Sequence, residues 1–64
     1  MVKTRVIIYP KDVALITGRS ERHGRKLLAM VRERLGKTRD QVVTVREFCE
    51  YMGLTVEEVA PWLM

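Results

Sequence analysis

A chain of 64 residues can form one domain, residues 1–64, with a small core, and its 47% hydrophobic content is typical of folded rather than disordered proteins. Its single cysteine excludes an internal disulfide and a multi-thiolate zinc site, and indicates a reducing compartment. The net charge of +4 is divided unevenly, because residues 1–39 hold eleven Lys or Arg against three acids and residues 40–64 hold one Arg against five. This split favours contact of the first half with a polyanion, with a merely solvated surface as the alternative.

No apolar run approaches the ~20 residues that a membrane-spanning helix needs. The apolar run that follows residues 1–5 is also too short for the hydrophobic region of a secretory signal. We therefore expect a cytoplasmic protein with no membrane partner.

The first half predicts a short strand followed by two helices. Residues 6–9 are β-branched or aromatic, which favours a strand. Residues 10–17 begin with a proline, which suits the first turn of a helix, and Gly18 ends that helix. A longer helix is predicted over residues 20–35, with a serine as its N-cap and Gly36 as its stop.

The second half predicts another strand and two more helices. Residues 42–45 form the second β-branched run. Thr44 can cap a helix, with Glu47 three residues later as its capping-box partner, and that helix ends before Gly53. Thr55 opens the last helix, again with a glutamate three residues on.

A shift of 35 residues matches the two halves by residue type. Gly18 then falls on Gly53 and Ser20 on Thr55. Each half is predicted to form a strand, a short helix, a glycine turn and a second helix, in that order. We therefore expect a mainly α fold of four helices in two helix-turn-helix-like pairs. The two short strands are expected to pair antiparallel into a minimal sheet about a pseudo-twofold axis.

The helix over residues 20–35 carries the strongest chemical signal. At about 100° per residue, one face collects the apolar positions Gly24, Leu27, Leu28, Val31 and Leu35. The opposite face collects the cations Arg22, Arg25, Lys26 and Arg32. This cationic face favours nucleic-acid contact, with plain solvation and an acidic protein partner as alternatives.

Gly24 lies in the middle of that helix, where glycine costs up to ~1 kcal/mol relative to alanine. Because it falls on the apolar face, we expect a close approach of the preceding helix at this point.

Residues 9–20, Tyr-Pro-Lys-Asp-Val-Ala-Leu-Ile-Thr-Gly-Arg-Ser, together with the basic helix after them, resemble a helix-turn-helix unit of the small bacterial excisionase-like and MerR-type proteins. The alanine four residues before the turn glycine and the serine two residues after it carry the likeness. The resemblance implies that the helix beginning near Ser20 is a recognition helix in the major groove of double-stranded DNA. It would place at the nucleic acid Arg19, Ser20, Arg22, His23, Arg25 and Lys26, to which the cationic face adds Arg32.

Residues 44–59 resemble the same unit in their apolar pattern, with Leu54 and Val59 at core positions. Glu57 and Glu58 would face phosphates, however, and Pro61 would break the helix early. The second pair is therefore expected to serve packing or pairing.

Other reactive residue types are isolated in the sequence. His23 is the only histidine, Cys49 is expected to be a buried core residue, and no nucleophile–base arrangement or glycine-rich phosphate loop is present. We expect no enzyme activity, no catalytic residue, no metal, no cofactor and no small-molecule ligand.

The predicted function is sequence-specific or architectural DNA binding, by a small transcriptional regulator or a recombination accessory factor. The alternative is a protein-interaction or oligomerisation module that does not bind DNA. The acidic second half and Trp62 favour the alternative. We expect the apolar residues 62–64 to pack on the core, with contact with another chain as the alternative, and a homodimer is compatible with either function.

Overall fold

A computed structural model of the chain describes residues 6–63. Their helices are α1 (Pro10–Thr17), α2 (Glu21–Leu35), α3 (Val45–Met52) and α4 (Val56–Val59), followed by a 3₁₀ turn, Ala60–Trp62. The prediction of a mainly helical fold with four helices is confirmed for this part of the chain.

The helix boundaries agree with the sequence prediction because local hydrogen bonds fix them. The side chains of Ser20, Thr44 and Thr55 each accept a hydrogen bond from the backbone N–H three residues on, at 3.0–3.2 Å. Glu47 completes the capping box at α3, because its carboxylate accepts the N–H of Thr44 at 2.9 Å. The glycine after each of α1, α2 and α3 has φ between 70° and 75°, the left-handed conformation that ends a helix.

The prediction of two strands is wrong for the residues that the structure describes. Residues 6–9 and 42–45 meet only at one antiparallel bridge, between Ile7 and Thr44, held by two backbone hydrogen bonds of 2.8 and 3.1 Å. The ladder cannot extend, because Pro10 begins α1 and Thr44 is already the N-cap of α3. The antiparallel sense was predicted correctly, but the minimal sheet is reduced to a bridge that joins the starts of α1 and α3.

The helix bounds repeat at the offset of 35 residues. Helices α1 and α3 are both eight residues long and begin 35 positions apart. In the register of the bridge, Ile8 lies opposite Val43, its own counterpart at that offset, and both side chains are buried. The second helices differ, since α2 has 15 residues and α4 only four before Pro61, which lacks a backbone N–H. The two halves therefore have the same structure near the bridge and differ in the length of their second helices.

One hydrophobic cluster forms the core. Its buried members are Ile8, Val13, Leu28, Val31, Val43, Val45, Phe48, Cys49, Val59 and Leu63. Leu54 packs partly buried against it, so the core positions predicted for the second helix pair, Leu54 and Val59, are confirmed.

Helix α1 approaches α2 closely at Gly24, as predicted. Gly24 is buried, and a Cβ built on it would collide with the carbonyl oxygen of Pro10 and lie 3.2 Å from the Pro10 Cα. No side chain fits between the two backbones here, which explains a glycine in the middle of a helix.

Two predictions about the burial of apolar residues are wrong in part. Leu35 was assigned to the buried face of α2 but is 45% exposed, because Gly36 ends the helix where the core ends. At the C-terminal end, Leu63 is buried in the core whereas Trp62 is 51% exposed, and Met64 lies outside the described residues.

No helix within residues 6–63 combines the length and the hydropathy that crossing a membrane requires. Residues 1–5, on which the expectation about secretion partly depends, lie outside this range.

Candidate nucleic-acid interface

Three cations of α2 lie on the side of the helix turned away from the core. Arg22, Arg25 and Lys26 are all exposed, whereas Gly24 and Leu28 on the opposite side are buried. Their side chains leave the helix within an arc of about 100°, from the helical rotation per residue. We call these three residues the basic ridge.

The acids of the second half do not neutralise the basic ridge. Arg25 lies 3.9 Å from Glu21 on its own helix, and both side chains are more than half exposed, so the attraction is weak. Within the described residues 6–63, the only acid of the second half that forms an ion pair is Glu47. Its carboxylate oxygen lies 2.7 Å from Nζ of Lys37. The ridge therefore keeps its positive charge facing solvent.

The turn before α2 brings three further predicted residues to the same end of the helix. Arg19 is exposed, and its backbone N–H donates to the carbonyl of Ala14 at 3.1 Å. Ser20 Oγ accepts the N–H of His23 at 3.1 Å, which leaves the hydroxyl hydrogen able to donate to a ligand. His23 is half-buried, about 60° around the helix from Lys26.

Arg32, the seventh predicted site residue, has a structural contact. It lies two turns beyond Arg25 on the same side of α2, and its Nε–H donates to the carbonyl of Gln41 at 2.9 Å. The side chain is half-buried and ties α2 to the turn formed by residues 38–41. Arg32 is thus partly used in holding this turn, and its terminal N–H groups remain for another partner.

That turn adds a cation outside the set of predicted site residues. A shallow groove beside α2 is lined by Ala29, Arg32, Glu33, Lys37 and Arg39. The ammonium of Lys37 contacts Glu47 and donates to the Val42 carbonyl at 2.8 Å, whereas Arg39 is exposed. Arg39 therefore extends the cationic surface past Arg32. The sequence contains no signal that Arg39 lies beside α2, because its position there depends on the hydrogen bond from Arg32 to Gln41.

The second helix pair presents the opposite charge at the corresponding positions. At the offset of 35, Arg22 corresponds to Glu57 and His23 to Glu58, and both glutamates are exposed. Glu58 is engaged at the start of α4, where its carboxylate accepts the N–H of Thr55 at 2.9 Å. Acids at these positions repel phosphates, so the cationic surface is confined to the first pair and the turn after it.

The groups that could carry other chemistry are dispersed or buried. Within residues 6–63, no three His, Cys, Asp or Glu side chains are grouped closely enough to hold a metal ion. Cys49 is buried as predicted, and this burial raises the pKa of its thiol, with a smaller contribution from the nearby charge of Glu58. A protonated, buried thiol is a poor nucleophile.

Comparison with known proteins identifies no relative: no family model, no curated protein and no solved structure matches this chain.

Proposed function

We propose that this protein binds double-stranded DNA through α2, with the basic ridge against the phosphates and one or two of its side chains on base edges. The observation that carries the proposal is the outward exposure of Arg22, Arg25 and Lys26, clear of the acids of the second half. Cations placed in this way neutralise phosphates and release condensed counterions. A guanidinium group can also donate two hydrogen bonds to the edge of guanine.

The dimensions of α2 support insertion into the major groove. Fifteen residues make a helix about 22 Å long, and a helix about 10–12 Å wide fits a groove about 12 Å wide. The N-terminal end of α2 carries partial positive charge, to which Arg19 and the Ser20 hydroxyl add a cation and a donor. The likeness to excisionase-like and MerR-type helix-turn-helix units supports the same orientation.

The turn of residues 38–41 supplies the flanking contact in this arrangement. Arg39, held beside α2 by the hydrogen bond from Arg32 to Gln41, reaches a phosphate beyond the groove that α2 occupies. Binding of this kind acts by occupancy, as in a small bacterial transcriptional regulator or recombination accessory factor. The setting we propose is the cytoplasm, where DNA is accessible and a single cysteine stays reduced.

The proposal is tested by the salt dependence of duplex binding, measured by fluorescence anisotropy with a labelled duplex of mixed sequence. The logarithm of the affinity is expected to fall linearly with the logarithm of the salt concentration, by about 0.9 for each phosphate contact. The double variant Arg22→Glu/Arg25→Glu is expected to lose binding at moderate salt and to make the slope shallower by about two units. Its melting temperature should change by a few degrees at most, because both side chains are exposed.

The matched control for the single variant Arg22→Glu is Arg46→Glu, which makes the same change of charge at an exposed position on α3. This variant should bind almost as well as the wild type, and the single variant Arg22→Glu should bind clearly worse. Unchanged duplex affinity in Arg22→Glu/Arg25→Glu would refute the proposal. An equal loss in Arg46→Glu would show that net charge, rather than the basic ridge, governs binding.

A further inference from the structure

One carboxylate lies among the cations on the outer side of α2. Glu33 is exposed, and its direction around the helix falls between those of Arg22 and Lys26, about 20° from each. It points about 140–160° away from the buried Leu28 and Val31, so it faces directly outward. When the basic ridge lies against a duplex, Glu33 therefore faces that duplex too.

No contact within residues 6–63 accounts for a carboxylate at this position. Three cations, Arg32, Lys37 and Arg39, line the same shallow groove. Glu33 nevertheless forms no ion pair with any described residue. It also lies in the last turn of α2, where the negative end of the helix dipole disfavours an acidic side chain. Its charge would repel phosphates as well, so its chemistry suits a hydrogen-bond donor that carries no negative charge.

The base edges in the major groove include such a donor. Cytosine presents its N4 amino group there, and no acceptor of the same base lies beside it. Adenine presents its N6 amino group next to the N7 acceptor, whereas guanine presents only the acceptors N7 and O6, and thymine presents the acceptor O4. A carboxylate oxygen therefore accepts a hydrogen bond most favourably from cytosine.

We propose that Glu33 is a specificity-determining residue and that its carboxylate accepts a hydrogen bond from the N4 amino group of a cytosine. The inference rests on the proposed function, because it requires α2 in the major groove. Arg22, Ala29 and Glu33 lie within an arc of about 40° at the centre of the outer side of α2. The small side chain of Ala29 lets this line approach the base edges, while Arg25 and Arg32 leave the helix on one flank and remain for phosphates.

Selection of binding sites from duplexes with a randomised central segment tests this proposal. The wild type should enrich sites with one strongly preferred cytosine, and fluorescence anisotropy should show about tenfold weaker binding when that base pair is replaced. Glu33→Ala should lose the preference at this position and bind mixed-sequence duplex at least as tightly, because a charge that repels phosphates is removed. Glu33→Gln should change the preference from cytosine to adenine, because an amide can accept from N6 and donate to N7.

The matched control is Glu50→Ala, because Glu50 is also exposed and is the third residue from the end of α3, as Glu33 is of α2. This variant should keep the cytosine preference. Glu33→Ala should melt at or above the wild-type temperature, since no ion pair is lost. An unchanged cytosine preference in Glu33→Ala, or wild-type binding without base preference, would overturn this inference and leave DNA binding intact. Absence of duplex binding at low salt would overturn the proposed function and this inference with it.

Discussion

Adding one methyl group at Gly24 is expected to destabilise the protein, although alanine favours helices. Helix propensity alone predicts that Gly24→Ala would stabilise α2 by up to about 1 kcal/mol. The structure predicts the opposite sign, because the new Cβ would collide with the backbone carbonyl of Pro10. A backbone oxygen cannot rotate aside as a flexible side chain would, so α1 must move away from α2.

The size of the effect is set by these two opposing contributions. Forcing an extra carbon into a packed contact costs about 1–3 kcal/mol, from which the gain in propensity is subtracted. Because the obstacle at Gly24 is a backbone carbonyl, we expect a cost in the upper half of that range, about 2–3 kcal/mol, which leaves a net loss of about 1–2 kcal/mol. For a domain of this size the melting temperature falls about 4–8 °C for each kcal/mol, so Gly24→Ala should melt roughly 5–15 °C below the wild type.

Thermal unfolding followed by circular dichroism measures this change, with Ala29→Gly as the control. Ala29 is exposed on the same helix, so its replacement removes helix propensity without a change in packing and should cost about 1 kcal/mol. Both variants are thus expected to be less stable than the wild type. If Gly24→Ala melts at or above the wild-type temperature, the close approach of α1 to α2 does not constrain this position and the reasoning fails.

Two further predictions concern the turn after α2. Arg32→Lys keeps the charge but loses the Nε–H that donates to Gln41, so stability should fall by about 0.5–1.5 kcal/mol. The salt slope of duplex binding should become shallower by at most about one unit, because Arg39 is no longer held beside α2. Unchanged stability would contradict the structural role given to Arg32. The hydrogen bond from Lys37 holds the pKa of Glu47 below its ordinary value of 4.5, helped by the N–H of Thr44. The folded state therefore keeps this carboxylate ionised where the unfolded chain takes up a proton, and its contribution to stability is present above that value and lost as the pH falls below it. Glu47→Gln keeps an oxygen for the helix cap but has no carboxylate to titrate. Between about pH 6 and pH 3, its free energy of unfolding in denaturant should therefore fall less than that of the wild type. An equal fall would count against the Lys37–Glu47 pair.

The sequence predicts the helices of this protein well because their ends are set by neighbours in the chain. Thr44 and Glu47 form a capping box three residues apart, a pattern that needs no tertiary contact to form. The same local chemistry places the ends of α1 and α2 at glycines in the left-handed conformation. The predicted strands failed for a local reason too, since residues 6–9 and 42–45 each lead directly into a helix after a single bridge.

The parts that the sequence could not predict depend on contacts between distant residues. Leu35 follows the apolar period of α2, but the helical period does not show that the core ends one turn earlier. Arg39 lies beside α2 through a hydrogen bond between Arg32 and Gln41, nine residues apart, which no pattern indicates. The composition of the basic ridge could be predicted, because helical rotation alone groups Arg22, Arg25 and Lys26. Its separation from the acids of the second half required the structure.

The two helix pairs show how one backbone plan can support two different surfaces. Their first helices have the same length and offset, yet Arg22 is matched by Glu57, and α2 is almost four times as long as α4. Pro61 limits α4, and a helix of one turn cannot present a row of side chains to a groove. In the proposed function, DNA binding depends on the length and charge of the helix after the glycine turn rather than on the turn itself. On this proposal, replacing the acids of α4 with arginines would not give α4 the ability to bind DNA.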